Sequence, residues 1–121
     1  MESLLIVDDD INLCKVLKEE LSEVGYDVDF VNNGLAAFNH LQQNHIDLIL
    51  LDLKMPGMDG FEVLKELKSR AISIKVIVLT AYADVKSAID SAKLGASDFI
   101  SKPYDFDELL ITIRKVVQRD T

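Results

Sequence analysis

Five short apolar runs alternate with five amphipathic stretches along this chain, and that rhythm constrains the fold more than any other feature. The runs are Leu4–Val7, Val28–Val31, Asp47–Leu51, Val76–Leu79 and Phe99–Ile100. Between and after them, apolar residues recur at the three- and four-residue spacing of helices. The stripes are Ile11, Cys14, Leu17, Leu21 and Val24; Leu35, Phe38 and Leu41; Phe61, Leu64 and Leu67; Val85, Ala88, Ile89 and Ala92; and Phe106, Leu109, Leu110, Ile113, Val116 and Val117. Strands alternating with helices predict βαβ units and a parallel sheet, and right-handed crossovers place helices on both of its faces. The central runs are unbroken in apolar character, as strands covered on both faces should be.

Boundary signals agree with this reading. Asp59 with Glu62, and Asp105 with Glu108, have the spacing of a helix N-cap and its box partner. Asp10 is the expected cap of the first helix. Gly25 and Gly95 stand where helices should close in a left-handed turn. A chain of 121 residues is the size of one domain, so residues 1–121 are expected to form a single α/β domain. The expected architecture is the flavodoxin-like doubly wound (βα)5 fold with strand order 2-1-3-4-5. That fold binds its ligand in the crevice between strands 1 and 3.

Asp8 and Asp9 follow the first run and Asp52 the third, so three carboxylates converge at the switch point. Like charges this close repel unless a cation neutralises them. The set is hard and all-oxygen, which suits Mg²⁺ better than other ions. No EF-hand spacing favours Ca²⁺, and two histidines with one cysteine are too few for a structural zinc site. His40 and His45 lie on or just after a second helix expected to start from the opposite rim, and are read as solvent-exposed. Cys14, on an apolar stripe, reads as a buried inert thiol.

Asp52 stands alone at its strand end, and an aspartate can form an acyl phosphate. Thr80 ends the fourth run, where its hydroxyl can serve a phosphoryl oxygen; Lys102 follows the fifth and can offer a point charge to the same group. Pro103 biases Lys102 to extended backbone, and a cis Lys102–Pro103 bond would aim the amine inward.

Asp8-Asp9, Asp52, Thr80 and Lys102-Pro103, with the segment Asp52-Leu53-Lys54-Met55-Pro56-Gly57-Met58-Asp59-Gly60, resemble the receiver domains of two-component response regulators. The likeness runs from Leu4 to about Gln118. It implies that a sensor histidine kinase, or a phosphotransfer protein, donates a phosphoryl group to Asp52. It further implies Mg²⁺ held by Asp8, Asp9, Asp52 and the Lys54 backbone carbonyl. Thr80 and Phe99 would be the switch pair, moving the surface of helix 4, strand 5 and helix 5. The residues expected to face outward there are Lys86, Ser87, Asp90, Ser91 and Lys93; this face could also support a homodimer. The kinase would dock nearer helix 1 and the loop after strand 5. From its position, Tyr82 would gate water at the site.

Details such as Thr80-Ala81-Tyr82-Ala83-Asp84 are most similar to receivers of nitrogen-regulation-type transcriptional activators. The chain is thus expected to be the N-terminal part of a longer regulator, with an effector domain after Thr121. The alternative is a standalone phosphorelay receiver. A flavodoxin-type FMN carrier is a third reading, although Asp8-Asp9-Asp10 would repel the FMN phosphate. An enzyme turning over a substrate through an aspartyl phosphate is a fourth, but nothing in the sequence provides a substrate enclosure.

The net charge of -8 argues against nucleic-acid binding, which needs a basic face. No apolar run approaches the length of a membrane helix and no export signal opens the chain. With a single cysteine, a cytoplasmic location is expected.

Overall fold

Strand and helix alternate without interruption in the computed structural model, which describes residues 1–119. The elements are β1 (Ser3–Val7), α1 (Ile11–Glu23), β2 (Asp27–Val31), α2 (Gly34–Gln43), β3 (Leu48–Leu51), α3 (Gly60–Ser69), β4 (Lys75–Thr80), α4 (Val85–Lys93), β5 (Asp98–Ser101) and α5 (Phe106–Gln118). All pairings are parallel and the order is β2-β1-β3-β4-β5, as expected. Successive strand residues face opposite sides of the sheet, so each strand feeds two cores. Leu4, Ile6, Leu48, Leu50, Ile77 and Leu79 pack with α1 and α5 through Cys14, Leu17, Leu21, Leu109, Ile113 and Val116. Leu5, Val7, Ile49, Leu51 and Val76 pack with α2 and α3 through Ala37, Phe38, Val63, Leu64 and Leu67.

The caps lie where the sequence places them. Asp10 accepts from the Leu13 N–H, and Asp59 with Glu62 completes a reciprocal capping box. Asp105 accepts from the Asp107 and Glu108 N–H groups. Gly25 and Gly95 both have φ of 104°. The N–H of the residue after each glycine bonds back across the turn, Tyr26 to the Leu21 carbonyl and Ala96 to the Ser91 carbonyl, which is the Schellman closure. The same closure ends α3 at Ala71 (φ 56°), with Ile72 N–H reaching the Leu67 carbonyl. No glycine marks that turn, so the sequence held no signal for it.

Three expectations need correction. First, α4 is turned the opposite way from its apolar stripe. Val85 (75% exposed) and Ile89 (49%) face solvent with Ala92, while Ser91, expected outside, is only 1% exposed. Ser87 and Asp90 are half-buried; Lys86 and Lys93 are exposed as expected. The inward line of Ser87, Ser91 and Leu94 carries small side chains, and Ser91 satisfies its hydroxyl by donating to the Ala88 carbonyl (3.1 Å). A helix seated by its cap and by a small inward face need not follow its most apolar stripe. Second, α2 begins at the same rim as the acids and ends at the other one, because it follows a parallel strand. Third, His40 is half-buried, not exposed; His45 is exposed as expected. The outer members Ile11, Val24 and Leu35 of the first two stripes are also exposed.

Candidate functional site

Register alone brings two carboxylates together. Val7 of β1 lies opposite Leu51 of β3, so the next residues, Asp8 and Asp52, leave adjacent strands side by side. The Asp52 N–H donates to the Val7 carbonyl (3.0 Å), tying the two strand ends. Asp8, Asp9 and Asp52 each present an oxygen within 4.8 Å of the others. Asp8 and Asp52 are buried, while Asp9 is exposed. An acid cluster with one open side and two buried walls is chemically suited to a hard divalent cation that retains water ligands.

Asp8 is held at every polar atom. Its N–H donates to Val31, and its carbonyl accepts from Asn32 Nδ2 (2.8 Å) and from the Cys14 thiol (3.5 Å). Its Oδ1 accepts from the Asp10 N–H (2.9 Å), and its Oδ2 from Lys102 Nζ (2.7 Å). Burial raises the Asp8 carboxyl above its ordinary value despite the Lys102 and Asp10 hydrogen bonds. Burial acts to lower Lys102, but the hydrogen bond and charge of Asp8, with the charges of Asp52 and Asp10, outweigh it and the ammonium is raised. Lys102 Nζ also lies 3.7 Å from Asp52 Oδ2, so a single ammonium spans both buried acids. The Lys102–Pro103 bond is cis, and the Lys102 N–H donates to the Thr80 carbonyl (2.8 Å).

Thr80 is fully buried at the end of β4, and its hydroxyl accepts from the Tyr82 N–H (3.2 Å). Tyr82 is exposed, and its hydroxyl accepts from Lys54 Nζ (2.6 Å), which also sits 4.6 Å from the ring centroid. This pair links the loop after β3 to the loop after β4. The Lys54 N–H is 3.5 Å from Asp52 Oδ1. Phe99 is half-buried on β5 and belongs to neither core. Cys14 is buried, and desolvation, with Asp8 and Asp10 nearby, pushes its thiol up to about 12, in line with an inert role.

Sequence reasoning missed two positioning residues. Asn32 braces the Asp8 carbonyl, a role that a lone asparagine after a strand does not announce. Gly60 starts α3 with its N–H on the Leu53 carbonyl (2.9 Å). A Cβ there would collide with the Asp52 carbonyl oxygen and the Leu53 Cα. Only glycine lets this helix press against the backbone that carries Asp52.

The doubly wound sheet thus carries, at its switch point, an acid cluster bridged by one lysine. Residues 4–114 match the response regulator receiver domain family, and the chain belongs to that family. It is 43% identical over 114 residues to the transcriptional regulatory protein ZraR of Klebsiella oxytoca, covering 94% of this chain and 26% of that protein. It is 40% identical over 114 residues to sporulation initiation phosphotransferase F of Bacillus subtilis, covering 94% of this chain and 92% of that protein. Among solved structures, the Francisella response regulator 1452 receiver domain superposes with a TM-score of 0.92 at 31% identity, covering 98% of both chains. The Thermotoga maritima protein TrrA, in complex with Mg(2+)-BeF, superposes at 0.85 with 38% identity, covering 96% of this chain and 99% of that one. The chain thus spans about a quarter of the length of its ZraR relatives. Family membership displaces the FMN-carrier reading. Among the described residues, no helix is long and apolar enough to cross a membrane.

Proposed function

We propose that Asp52 is the phosphoacceptor of this receiver, and that its phosphorylation changes the α4–β5–α5 surface to control an effector, in a transcriptional regulator of the cytoplasm. The observation that carries this is the Lys102 ammonium spanning Asp8 (2.7 Å) and Asp52 (3.7 Å) within the three-acid cluster. An Asp52 carboxylate oxygen attacks the phosphorus of a phosphohistidine on a kinase or phosphotransfer protein. The P–O bond forms as the P–N bond breaks, and the imidazole leaves with the electron pair. Lys102, already between the two acids, turns from Asp8 towards the transferred group and offsets its charge.

Asp8, Asp9, Asp52 and the Lys54 carbonyl are the groups that would hold Mg²⁺. When bound, the cation supplies charge neutralisation at the phosphoryl oxygens. The TrrA complex, named with Mg(2+)-BeF, supports this assignment. The Thr80 hydroxyl gives up its bond from the Tyr82 N–H and turns to the phosphoryl group. Half-buried Phe99 then moves inward, a population shift between two arrangements. The Lys54–Tyr82 bridge limits water at Asp52 and so sets the slow self-dephosphorylation. The histidine donor docks along α1 and the Lys102-Pro103-Tyr104 loop, and the α4–β5–α5 face is where activated copies could pair.

A second reading, a relay receiver that passes its phosphoryl group onward, is supported by the 40% identity to the Bacillus phosphotransferase. Reading the coding sequence past Thr121 separates the two; Asp120 and Thr121 themselves lie outside the described residues. For the acceptor itself, the protein is incubated with Mg²⁺ and acetyl phosphate. A mass gain of one phosphoryl group in the wild type and none in Asp52→Asn is expected. Equal labelling of both proteins overturns the assignment. Thr80→Ala should accept phosphate yet respond weakly by NMR, and Lys102→Ala should bind Mg²⁺ but be labelled slowly.

A further inference from the structure

The wall formed by α3 and α4 carries a feature that phosphoryl transfer does not use. An open groove of about 690 Å³ runs between the two helices, with Phe61 and Lys65 of α3 on one side and Lys86, Asp90 and Lys93 of α4 on the other. A second concavity of about 240 Å³ shares Lys93 and Leu94 with it and extends it to Lys68, Ile72 and Ile74. Phe61, Ile72, Ile74 and Leu94 are only half-buried, so apolar surface stays open to water along this line. The loose seat of α4, which buries only Ser91, leaves that surface uncovered.

Phe61, Lys65 and Lys68 follow one another at i, i+4 and i+7 on α3, and Lys86, Asp90 and Lys93 do so on α4. Residues so spaced share one helix face, and seven residues of helix rise about 10 Å. Each wall of the groove is therefore about two turns long. The charged groups along it are unevenly engaged. The Asp59 carboxylate accepts from the Glu62 N–H (2.9 Å), the Glu62 carboxylate accepts from the Asp59 N–H (3.4 Å), and Asp90 is paired with Lys86 (2.7 Å). Lys65, Lys68 and Lys93 are exposed and make no ion pair among the described residues. In a chain of net charge -8, three unpaired ammoniums beside one apolar line are a local reversal of sign.

We propose that the α3–α4 groove is a docking site for an acidic amphipathic helix of a partner protein. Its apolar face would lie on Phe61, Ile74 and Leu94, and its carboxylates would meet Lys65, Lys68 and Lys93. Helix-in-groove recognition uses apolar anchors at i, i+4 and i+7, which a groove two turns long accepts. Complementary charges at its edges fix register and exclude wrong partners. A nucleic-acid strand fits less well, because Asp59, Glu62 and Asp90 would face its phosphates. No member of the acid cluster lines the groove, and Val85 and Ile89 lie outside it.

The test uses the whole chain and a fluorescein-labelled helical peptide with leucines at i, i+4 and i+7 and glutamates beside them. A second peptide carries lysines in place of the glutamates. Fluorescence anisotropy should show saturable one-to-one binding of the acidic peptide that weakens as salt rises. Amide NMR shifts should fall on residues 61–68 and 86–94. Lys65→Glu with Lys93→Glu should weaken the acidic peptide by about tenfold, the scale of two surface pairs lost and reversed, and should favour the lysine peptide instead. Asp52→Asn should bind as the wild type does, so failure of the phosphoacceptor assignment and failure of this one are separate results. Circular dichroism confirms that the charge variant is folded; if it is not, Lys65→Gln with Lys93→Gln takes its place. Equal binding of both peptides by the wild type, shifts confined to α1 or α5, normal affinity in the charge variant, or no binding overturns the proposal. Concentration-dependent self-association that moves the same amides without peptide also overturns it and gives the groove to a second copy of the chain.

Discussion

Helices α4 and α5 both follow strands at the β4–β5 end of the sheet, yet they are fixed to it very differently. α5 buries Leu109, Thr112, Ile113 and Val116, whereas α4 buries only Ser91. α5 is also tied at its end, where Lys75 Nζ donates to the Val117 carbonyl (3.1 Å) and the Arg119 carbonyl (2.5 Å). α4 is capped by Asp84 and carries one Lys86–Asp90 pair at i,i+4, which solvent screens to a minor contribution. Low apolar burial marks an element that opens or shifts at small free-energy cost. The comparison therefore separates a firmly packed frame, which includes the acid rim, from a helix with little apolar anchorage.

The largest test removes apolar volume from each helix in turn. Ile113→Ala on α5 should destabilise the domain by about 2–5 kcal/mol, the usual result for a fully buried aliphatic. Ile89→Ala on α4 should change stability by less than about 0.5 kcal/mol. Urea unfolding of both variants measures the difference. Equal losses would mean that α4 is as firmly anchored as α5, and the comparison would fail.

Gly60→Ala asks whether α3 belongs to the frame. The added Cβ meets the Asp52 and Leu53 backbone, and overpacking of this kind costs about 1–3 kcal/mol. The strain falls on the segment carrying Asp52, so slower labelling by acetyl phosphate should accompany the lower urea midpoint. A variant that is destabilised but labelled normally would show that α3 can yield without disturbing the acid rim.

The frame was far more legible in the sequence than the weakly anchored α4. Strand order, the caps at Asp10, Asp59 and Asp105, and the grouping of Asp8, Asp9, Asp52 and Lys102 follow from patterns that tertiary packing reinforces. In α5 the apolar stripe and the buried face coincide. In α4 they do not, because periodicity reports which face is apolar and not which face has a partner. Val85 and Ile89 satisfy the pattern, but the sheet accepts the small Ser91 instead. Asn32 and Gly60 were illegible for another reason: each acts on a neighbour's backbone, and a backbone contact leaves no composition signal. His40 was misread because α2 was assigned to the wrong rim, an error that the parallel topology itself could have removed.

The frame also carries a charge stress that pH can report. Burial raises the Asp8 carboxyl, so its charged form is less favourable in the folded chain than in the unfolded one. A raised pKa contributes stability that is full below the unfolded value of about 3.9 and is lost as pH rises through the folded value. Without Mg²⁺, Asp8→Asn should therefore raise the urea midpoint at pH 7, and the gain should shrink as pH falls through Asp8's folded range. Excess Mg²⁺ should raise the wild-type midpoint and leave the variant's nearly unchanged. A midpoint that drops in Asp8→Asn at pH 7 would mean that the Lys102 pair outweighs burial.

The smallest effect is expected where the sequence pattern was most misleading. Val85 and Ile89 lie one turn apart on the open side of α4, with Tyr82 exposed just before the helix. Apolar residues that remain in water lose little transfer free energy when made polar. Val85→Ser with Ile89→Ser should then shift unfolding by no more than about 0.5 kcal/mol, and Asp52 labelling should be unchanged because no acid-rim residue is touched. If this stripe is the face on which activated copies pair, the double variant should instead remain monomeric in beryllofluoride and Mg²⁺ under conditions where the wild type self-associates. A large stability loss would place these side chains against the core and return α4 to the frame. Unaltered self-association would move the pairing surface away from α4 while leaving the contrast with α5 intact.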